Sequence, residues 1–189
     1  MTSSTIGILG LGYVGLPLSL QFARTGSVVL GFDIDPEKTT ALMESRSYIL
    51  HIPAEAVREQ REAGRFAATT DFSRASECEA LIICVPTPLA RHRDPDLTYV
   101  LNTGKAIAPH LRPGQLVVLE STTYPGTTEM ELREVLEAGS GLKAGTDFHL
   151  AFSPEREDPG NPQSDVAHIP KIVGGLTPEC QKHALAVYG

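Results

Sequence analysis

The chain has 189 residues, of which 41% are hydrophobic and 21% charged, a balance typical of one globular domain over residues 1–189. Its formal net charge of -7 argues against nucleic-acid binding, and no apolar run is long enough to span a bilayer. The start, Met-Thr-Ser-Ser, lacks a basic signal-peptide region, and the three cysteines lack metal-ligand spacing. We therefore expect a reduced, cytoplasmic protein without a metal site or membrane contact.

A glycine-rich turn follows the first predicted strand. The apolar run Ile6–Leu9 predicts a buried strand, and Gly10-Leu11-Gly12-Tyr13-Val14-Gly15 matches the pattern G-x-G-x-x-G. Leu16, Leu20 and Ala23 then recur with helical spacing. In this pattern the first glycine permits the tight turn, the second lets a pyrophosphate approach the backbone, and the third lets the helix pack closely on the strand. The turn therefore predicts a dinucleotide site at a helix N-terminus.

An acidic residue stands where a ribose-binding group is expected. The second apolar run, Val28–Phe32, ends in Asp33, about 20 residues beyond the glycines. A carboxylate there can accept hydrogen bonds from both ribose hydroxyls and would repel a 2′-phosphate, which favours NAD over NADP as cofactor. The alternative is a glycine turn without a ligand, in which Asp33 only caps the next helix.

Strands and helices alternate along the rest of the chain. We predict helices at 36–45, 54–63, 97–111 and 127–138, a last helix opened by Thr177-Pro178-Glu179, and strands at 65–70, 80–85, 116–119, 148–152 and 172–173. This order predicts an α/β fold: a Rossmann-like, doubly wound, mostly parallel sheet with helices on both faces. Ligands of such sheets lie beyond the carboxyl ends of the strands, where Pro86-Thr87-Pro88, Ser121-Thr122 and Ser153-Pro154-Glu155 fall.

Four segments resemble the signatures of the UDP-glucose/GDP-mannose dehydrogenase family. They are Gly10–Pro17, Val85–Pro88, Glu120–Thr122 and Ser153–Arg156. The longer stretches 86–96, 119–128 and 152–161 are similar to its UDP-N-acetylglucosamine 6-dehydrogenase branch. The resemblance covers essentially the whole chain, with all four motifs in order.

The resemblance implies an enzyme that oxidises the C6 alcohol of a UDP-N-acetylhexosamine, UDP-N-acetylglucosamine above all, to the carboxylate for surface polysaccharide synthesis. Two NAD molecules are reduced per sugar. The implied catalytic residues are Thr122 and Glu155, with Glu155 serving the water and thiohemiacetal steps. The implied cofactor-binding residues are Gly10, Gly12, Tyr13, Val14, Gly15, Asp33, Lys38, Pro86, Thr87, Ser121 and Thr122.

The cysteines depart from the family pattern. Family enzymes use a cysteine nucleophile in a Cys-x-Pro context, which Cys78, Cys84 and Cys180 do not match. The chain also stops inside its last predicted helix. We therefore expect the N-terminal cofactor domain of a longer, homo-oligomeric enzyme whose connecting helix and UDP-sugar-binding domain are absent, and we expect this part alone to be inactive.

Simpler interpretations exist for the single residues. Thr87 between two prolines could form only a rigid loop, Ser121–Thr123 could cap a helix, and Lys38 could be a solvated helix lysine. Glu155 could be a surface acid paired with Arg156. The sequence leaves the role of Arg91-His92-Arg93 open between the UDP phosphates, a partner subunit and solvent, and the role of Lys171 open between the sugar and an interface.

The function also has alternatives. The chain could be a non-catalytic NAD-binding module, which the missing Cys-x-Pro motif favours. It could instead belong to an NAD-dependent dehydrogenase of a hydroxyacid or sugar alcohol that carries out one oxidation without a thiol. Within the family, UDP-glucose and GDP-mannose remain alternative substrates.

Overall fold

Residues 4–89, 95–154 and 171–189 are described by a computed structural model, and they contain one sheet of seven strands. The strands are β1 (Thr5–Leu9), β2 (Val28–Phe32), β3 (Phe66–Thr69), β4 (Ala80–Ile83), β5 (Leu116–Leu119), β6 (His149–Phe152) and β7 (Gly174–Gly175). Their order is β3-β2-β1-β4-β5-β6-β7, with β1 to β6 parallel and β7 antiparallel to β6. The predicted Rossmann-like, mostly parallel sheet is confirmed.

The described ranges contain six α-helices, of which the first five lie between strands. They are α1 (Gly15–Arg24), α2 (Pro36–Met43), α3 (Ala54–Glu62), α4 (Thr98–Ile107), α5 (Arg133–Ser140) and α6 (Pro178–Tyr188). The predicted helix 97–111 narrows to a 3-10 turn at Ala108–His110, because Pro109 cannot donate the next helical hydrogen bond. A π-helical turn, Thr128–Leu132, leads into α5. None of the helices in this part of the chain is both long and apolar enough to cross a membrane.

The core lies on both faces of the sheet. Along β4, Ala80 and Ile82 face the layer that contains α1 and α3, whereas Leu81 and Ile83 face the layer that contains α4 and α5. The four residues are at most 2% exposed. A strand buried on both faces is continuously apolar, which explains why this run was recognisable from the sequence.

The edge strand β7 differs from its prediction. The β-branched pair Ile172-Val173 predicts a strand, but the pairing with β6 falls on Gly174 and Gly175. A Cβ atom added at Gly175 would lie 2.2 Å from the backbone nitrogen of Gln181 in α6. The glycine therefore allows α6 to approach the sheet edge more closely than a larger residue would.

A pair of histidines joins α6 to β6. The rings of His149 and His183 are stacked, with centroids 3.8 Å apart and an interplanar angle of 16°. Burial lowers the pKa of His149, and the neighbouring His183 lowers it further, while Glu179 opposes the shift. The folded state therefore resists protonation of His149 more than the unfolded chain does.

This depressed pKa predicts a loss of stability in mild acid. The contribution of His149 is complete above its unfolded pKa of about 6.5 and falls as the pH drops through its lower folded pKa. Urea unfolding should give a smaller free energy of unfolding at pH 5.5 than at pH 7.5. The variant H149F, which keeps a ring for stacking, should show a smaller decrease. The matched control variant H110Q should lose as much unfolding free energy between the two pH values as the parent does. An equal loss in the parent, H149F and H110Q would contradict the assignment to His149.

Candidate functional site

The turn between β1 and α1 is fixed through Leu11. Its side chain is fully buried, and a Cβ atom added at Gly31 would meet it at 2.7 Å. Its backbone N–H donates a hydrogen bond of 2.9 Å to Oδ2 of Asp33. The end of β2 therefore holds the turn that follows β1.

The three glycines of the turn differ in what surrounds them. Gly10 has a φ of +96°, and Cys84 O would lie 2.8 Å from an added Cβ. At Gly15 the added atom would lie 1.8 Å from Gly10 O, so α1 packs directly on the turn. At Gly12 it would meet nothing within 4 Å. Gly10 and Gly15 thus serve the fold, whereas the space beside Gly12 is open to a ligand.

Backbone N–H groups lie at this open part of the turn. Among the described residues, no acceptor takes the N–H groups of Gly12, Tyr13 or Val14. Helix α1 begins immediately afterwards, with Val14 as its N-cap and no side-chain cap. Unpaired N–H groups at a helix N-terminus form a site for phosphate oxygens, which the N-terminal dipole also favours.

Asp33 is buried beside the turn, with 6% of its surface exposed. Besides the bond from Leu11, its Oδ1 accepts the N–H of Asp35 at 3.0 Å, and Lys38 Nζ lies 3.5 Å from Oδ2. Asp35, not Asp33, caps α2, because its side chain accepts the N–H of Glu37. The capping alternative for Asp33 is therefore wrong. A carboxylate has about four acceptor positions, so Asp33 retains capacity for a ribose hydroxyl.

A cavity of about 790 Å³ opens in front of the glycine turn and Asp33. The predicted residues that line it are Gly10, Gly12, Tyr13, Val14, Asp33, Lys38 and Pro86. Lining residues that the sequence did not single out include Tyr48, Ile49, Phe72, Tyr99, Asn102 and Thr103. The last three lie on α4, which follows the carboxyl end of β4. That position in the topology was the signal that could have pointed to them.

The predicted residues beyond β4 and β5 form a second group. Thr87 Oγ1 donates to the backbone oxygen of Thr122 at 2.6 Å, and Ser121 Oγ donates to the backbone oxygen of Val85 at 2.7 Å. Ser121 is 4% exposed. The N-cap of the helical turn at Thr128 is Thr127, which makes no side-chain cap, so Ser121–Thr123 do not cap it. The two loops are thus joined directly, next to the cavity.

A buried carboxylate, that of Glu120, directly precedes Ser121 in the sequence. Glu120, whose side chain is 2% exposed, contacts Lys171 Nζ through Oε1 and accepts the hydroxyl of Tyr188 at 2.6 Å through Oε2. Burial lowers the pKa of Lys171, while the neighbouring Cys84 opposes the shift. The Lys171 ammonium pairs inside the protein with Glu120. Glu155, Arg156 and Arg91-His92-Arg93 lie outside the described residues.

The three cysteines are all buried and form no disulfide. Burial raises the pKa of Cys78 to about 12, which makes its thiol a poor nucleophile. Cys84 lies just after β4, not within it, and lines the cavity. In the part of the chain that the structure describes, no three His, Cys, Asp or Glu side chains converge as a metal site.

The sheet order, the glycine turn and the acid at the end of β2 define a Rossmann-type dinucleotide-binding domain. Residues 4–189 match the model of the UDP-glucose/GDP-mannose dehydrogenase family, NAD binding domain. The chain therefore belongs to this family, and NAD is its cofactor.

Relatives that are named as nucleotide-sugar dehydrogenases support this membership. The UDP-N-acetyl-D-glucosamine 6-dehydrogenase of Pseudomonas aeruginosa is 37% identical over 188 residues, which are 100% of this chain and 44% of the relative. The UDP-N-acetyl-D-mannosamine dehydrogenase of Escherichia coli K12 is 34% identical over 196 residues, covering 100% of this chain and 46% of the relative. The chain thus spans less than half the length of these relatives.

A solved structure shows the same fold. The NDP-N-acetyl-D-galactosaminuronic acid dehydrogenase from Methanosarcina mazei superposes with a TM-score of 0.90 at 37% sequence identity. The match covers 98% of this chain and 42% of that chain.

Because the space beside Gly12 is open, a small side chain at this position should weaken NAD binding without destabilising the fold. The variant G12A should keep the melting temperature of the parent, because its Cβ meets no neighbour and its φ lies outside the left-handed region. It should bind NAD at least about tenfold more weakly, a cost of about 1.4 kcal/mol, because the Cβ occupies the approach to the backbone. Calorimetric titration and thermal unfolding measure the two effects.

The variant G15A is the matched control for folding. Its Cβ would clash with Gly10 O, so it should lower the melting temperature. Undiminished NAD binding by G12A would contradict a pyrophosphate site at this turn.

Proposed function

We propose that this chain is the cofactor-binding part of a longer, homo-oligomeric nucleotide-sugar 6-dehydrogenase. The proposed reaction oxidises the C6 alcohol of a UDP-N-acetylhexosamine, with UDP-N-acetylglucosamine as the first candidate, to the carboxylate with two NAD, for surface polysaccharide synthesis. The observation that carries this proposal is the match of the whole chain to enzymes that are named as dehydrogenases of N-acetylated UDP-sugars.

The proposed binding roles follow the geometry of the cavity. The N–H groups of Gly12, Tyr13 and Val14 hold the pyrophosphate, and Asp33 accepts the adenosine ribose hydroxyls, with Lys38 beside it. Bound NAD supplies the hydride acceptor. The cavity volume lies within the range of about 300–1,000 Å³ that is usual for ligand pockets.

The proposed catalytic group lies beyond β5. Thr122 lies beside Thr87, whose hydroxyl donates to the Thr122 carbonyl, and Ser121 is held by Val85. This arrangement supports a role for Thr122 and Thr87 near the nicotinamide and the reacting carbon, where a threonine hydroxyl can hold a substrate oxygen or water in line. We assign to Glu155 the proton transfers of the water and thiohemiacetal steps.

The second oxidation of the proposed reaction uses a thiol in a Cys-x-Pro context, which none of the three cysteines of this chain has. The three cysteines are buried, and the high pKa of Cys78 disfavours the reactive thiolate. We therefore propose that the nucleophile and most of the sugar contacts lie in a further domain of the same protein, and that this chain alone is inactive.

Counting NADH tests the proposed reaction. The full-length protein, incubated with limiting UDP-N-acetylglucosamine and excess NAD, should form two NADH per sugar and release the uronate. Parallel assays with UDP-N-acetylmannosamine, UDP-glucose and GDP-mannose rank the alternative substrates. One NADH per sugar would instead support a one-step dehydrogenase, and no NADH with any nucleotide sugar would support a non-catalytic NAD-binding module.

A further inference from the structure

The loop between α2 and α3 packs against the glycine turn. Ile49 and Ile52 anchor it, with 3% and 8% of their surfaces exposed, while Leu50 between them is fully exposed. Ser45, at the start of the loop, has a φ of +59°. The loop is thus held at fixed points near the cavity, although the sequence identified no motif in it.

Tyr48, in this loop, reaches across to the turn. Its hydroxyl donates a hydrogen bond of 2.5 Å to the backbone oxygen of Leu11, which lies 37 residues earlier in the chain. The N–H of Leu11 is already held by Asp33. The peptide groups before and after Leu11 are therefore both fixed, one by a carboxylate and the other by a phenol.

The hydrogen bond from Tyr48 to the Leu11 carbonyl also fixes the N–H group of Gly12. The carbonyl of Leu11 and the N–H of Gly12 belong to the same planar trans peptide and point in opposite directions. A donor that holds the carbonyl therefore also sets the direction of the N–H. That N–H has no acceptor among the described residues, and a Cβ atom added at Gly12 would meet nothing within 4 Å.

We infer that Tyr48 is a positioning residue for the phosphate-binding turn: by holding the Leu11 carbonyl, it aims the Gly12 N–H at the cofactor pyrophosphate. This inference rests on the proposed placement of the pyrophosphate at Gly12–Val14. Nothing in the glycine pattern itself requires such a partner, since the hydroxyl comes from a separate loop.

Two further observations agree with this role. The ring of His51, in the same loop, stacks on the ring of Tyr13 with centroids 6.1 Å apart, so the loop contacts the turn at a second point. Burial, together with the charges of Asp33 and Asp35, raises the pKa of Tyr48. The hydroxyl therefore keeps its proton and remains a hydrogen-bond donor at neutral pH.

The variant Y48F tests the inference in the 189-residue chain. It removes the donor and leaves the ring in place. We expect NAD and ADP-ribose, which both carry the pyrophosphate, to bind about tenfold more weakly by calorimetry, as for one lost hydrogen bond with its acceptor left unpaired. Adenosine, which lacks the pyrophosphate, should bind with unchanged affinity in an NMR titration.

A matched control removes a tyrosine hydroxyl elsewhere. The variant Y124F loses the bond to Glu131 Oε1 and should bind all three ligands as the parent does. Unchanged NAD affinity in Y48F would overturn the inference. An equal loss for adenosine would also overturn it, because general damage to the domain weakens every ligand.

A ligand-free measurement separates this inference from the proposed function. In 15N relaxation experiments on the free chain, the Gly12 amide should become more mobile in Y48F than in the parent. If the parent binds no NAD but Gly12 loosens in Y48F, the proposed pyrophosphate site fails while the positioning by Tyr48 stands. A Gly12 amide that is unaffected in Y48F would overturn the positioning itself.

Discussion

The hydrogen bond from the Leu11 N–H to the Asp33 carboxylate is the contact on which the site depends. It joins the turn after β1 to the end of β2 at 2.9 Å, and Asp33 is 6% exposed. A hydrogen bond to a buried charged group contributes about 1.5–3 kcal/mol, whereas an exposed ion pair such as Arg58 with Glu55 contributes about 0–1 kcal/mol. One carboxylate therefore shapes the phosphate turn and stands where the adenosine ribose is proposed to bind.

The other side of the carboxyl edge is held by a second buried carboxylate. Glu120 brings together the end of β5, Lys171 ahead of β7 and Tyr188 at the end of α6. Such a pair gains little over apolar packing, but removing one partner leaves a buried charge and costs about 3–5 kcal/mol. Ser121 and Thr122 follow Glu120 directly, so the proposed catalytic loop begins from a fixed point in the sheet.

Much of this arrangement could be predicted from the sequence, because it follows from local patterns. The turn Gly10–Gly15, the acid at Asp33 and the continuously apolar β4 each carry their signal within a few residues. Tyr48 and the α4 residues that line the cavity, such as Tyr99, could not be predicted in this way. Their positions depend on how elements that are distant in the sequence pack against one another, which a local sequence pattern does not predict.

We propose that this chain selects NAD through the glycine turn and Asp33, and a calorimetric titration with NAD, and separately with NADP, measures this selection. We expect clear NAD binding, and NADP binding at least about tenfold weaker, because a 2′-phosphate would meet the buried Asp33 carboxylate. Comparable affinity for both cofactors, or no binding of either by a folded sample, would contradict it.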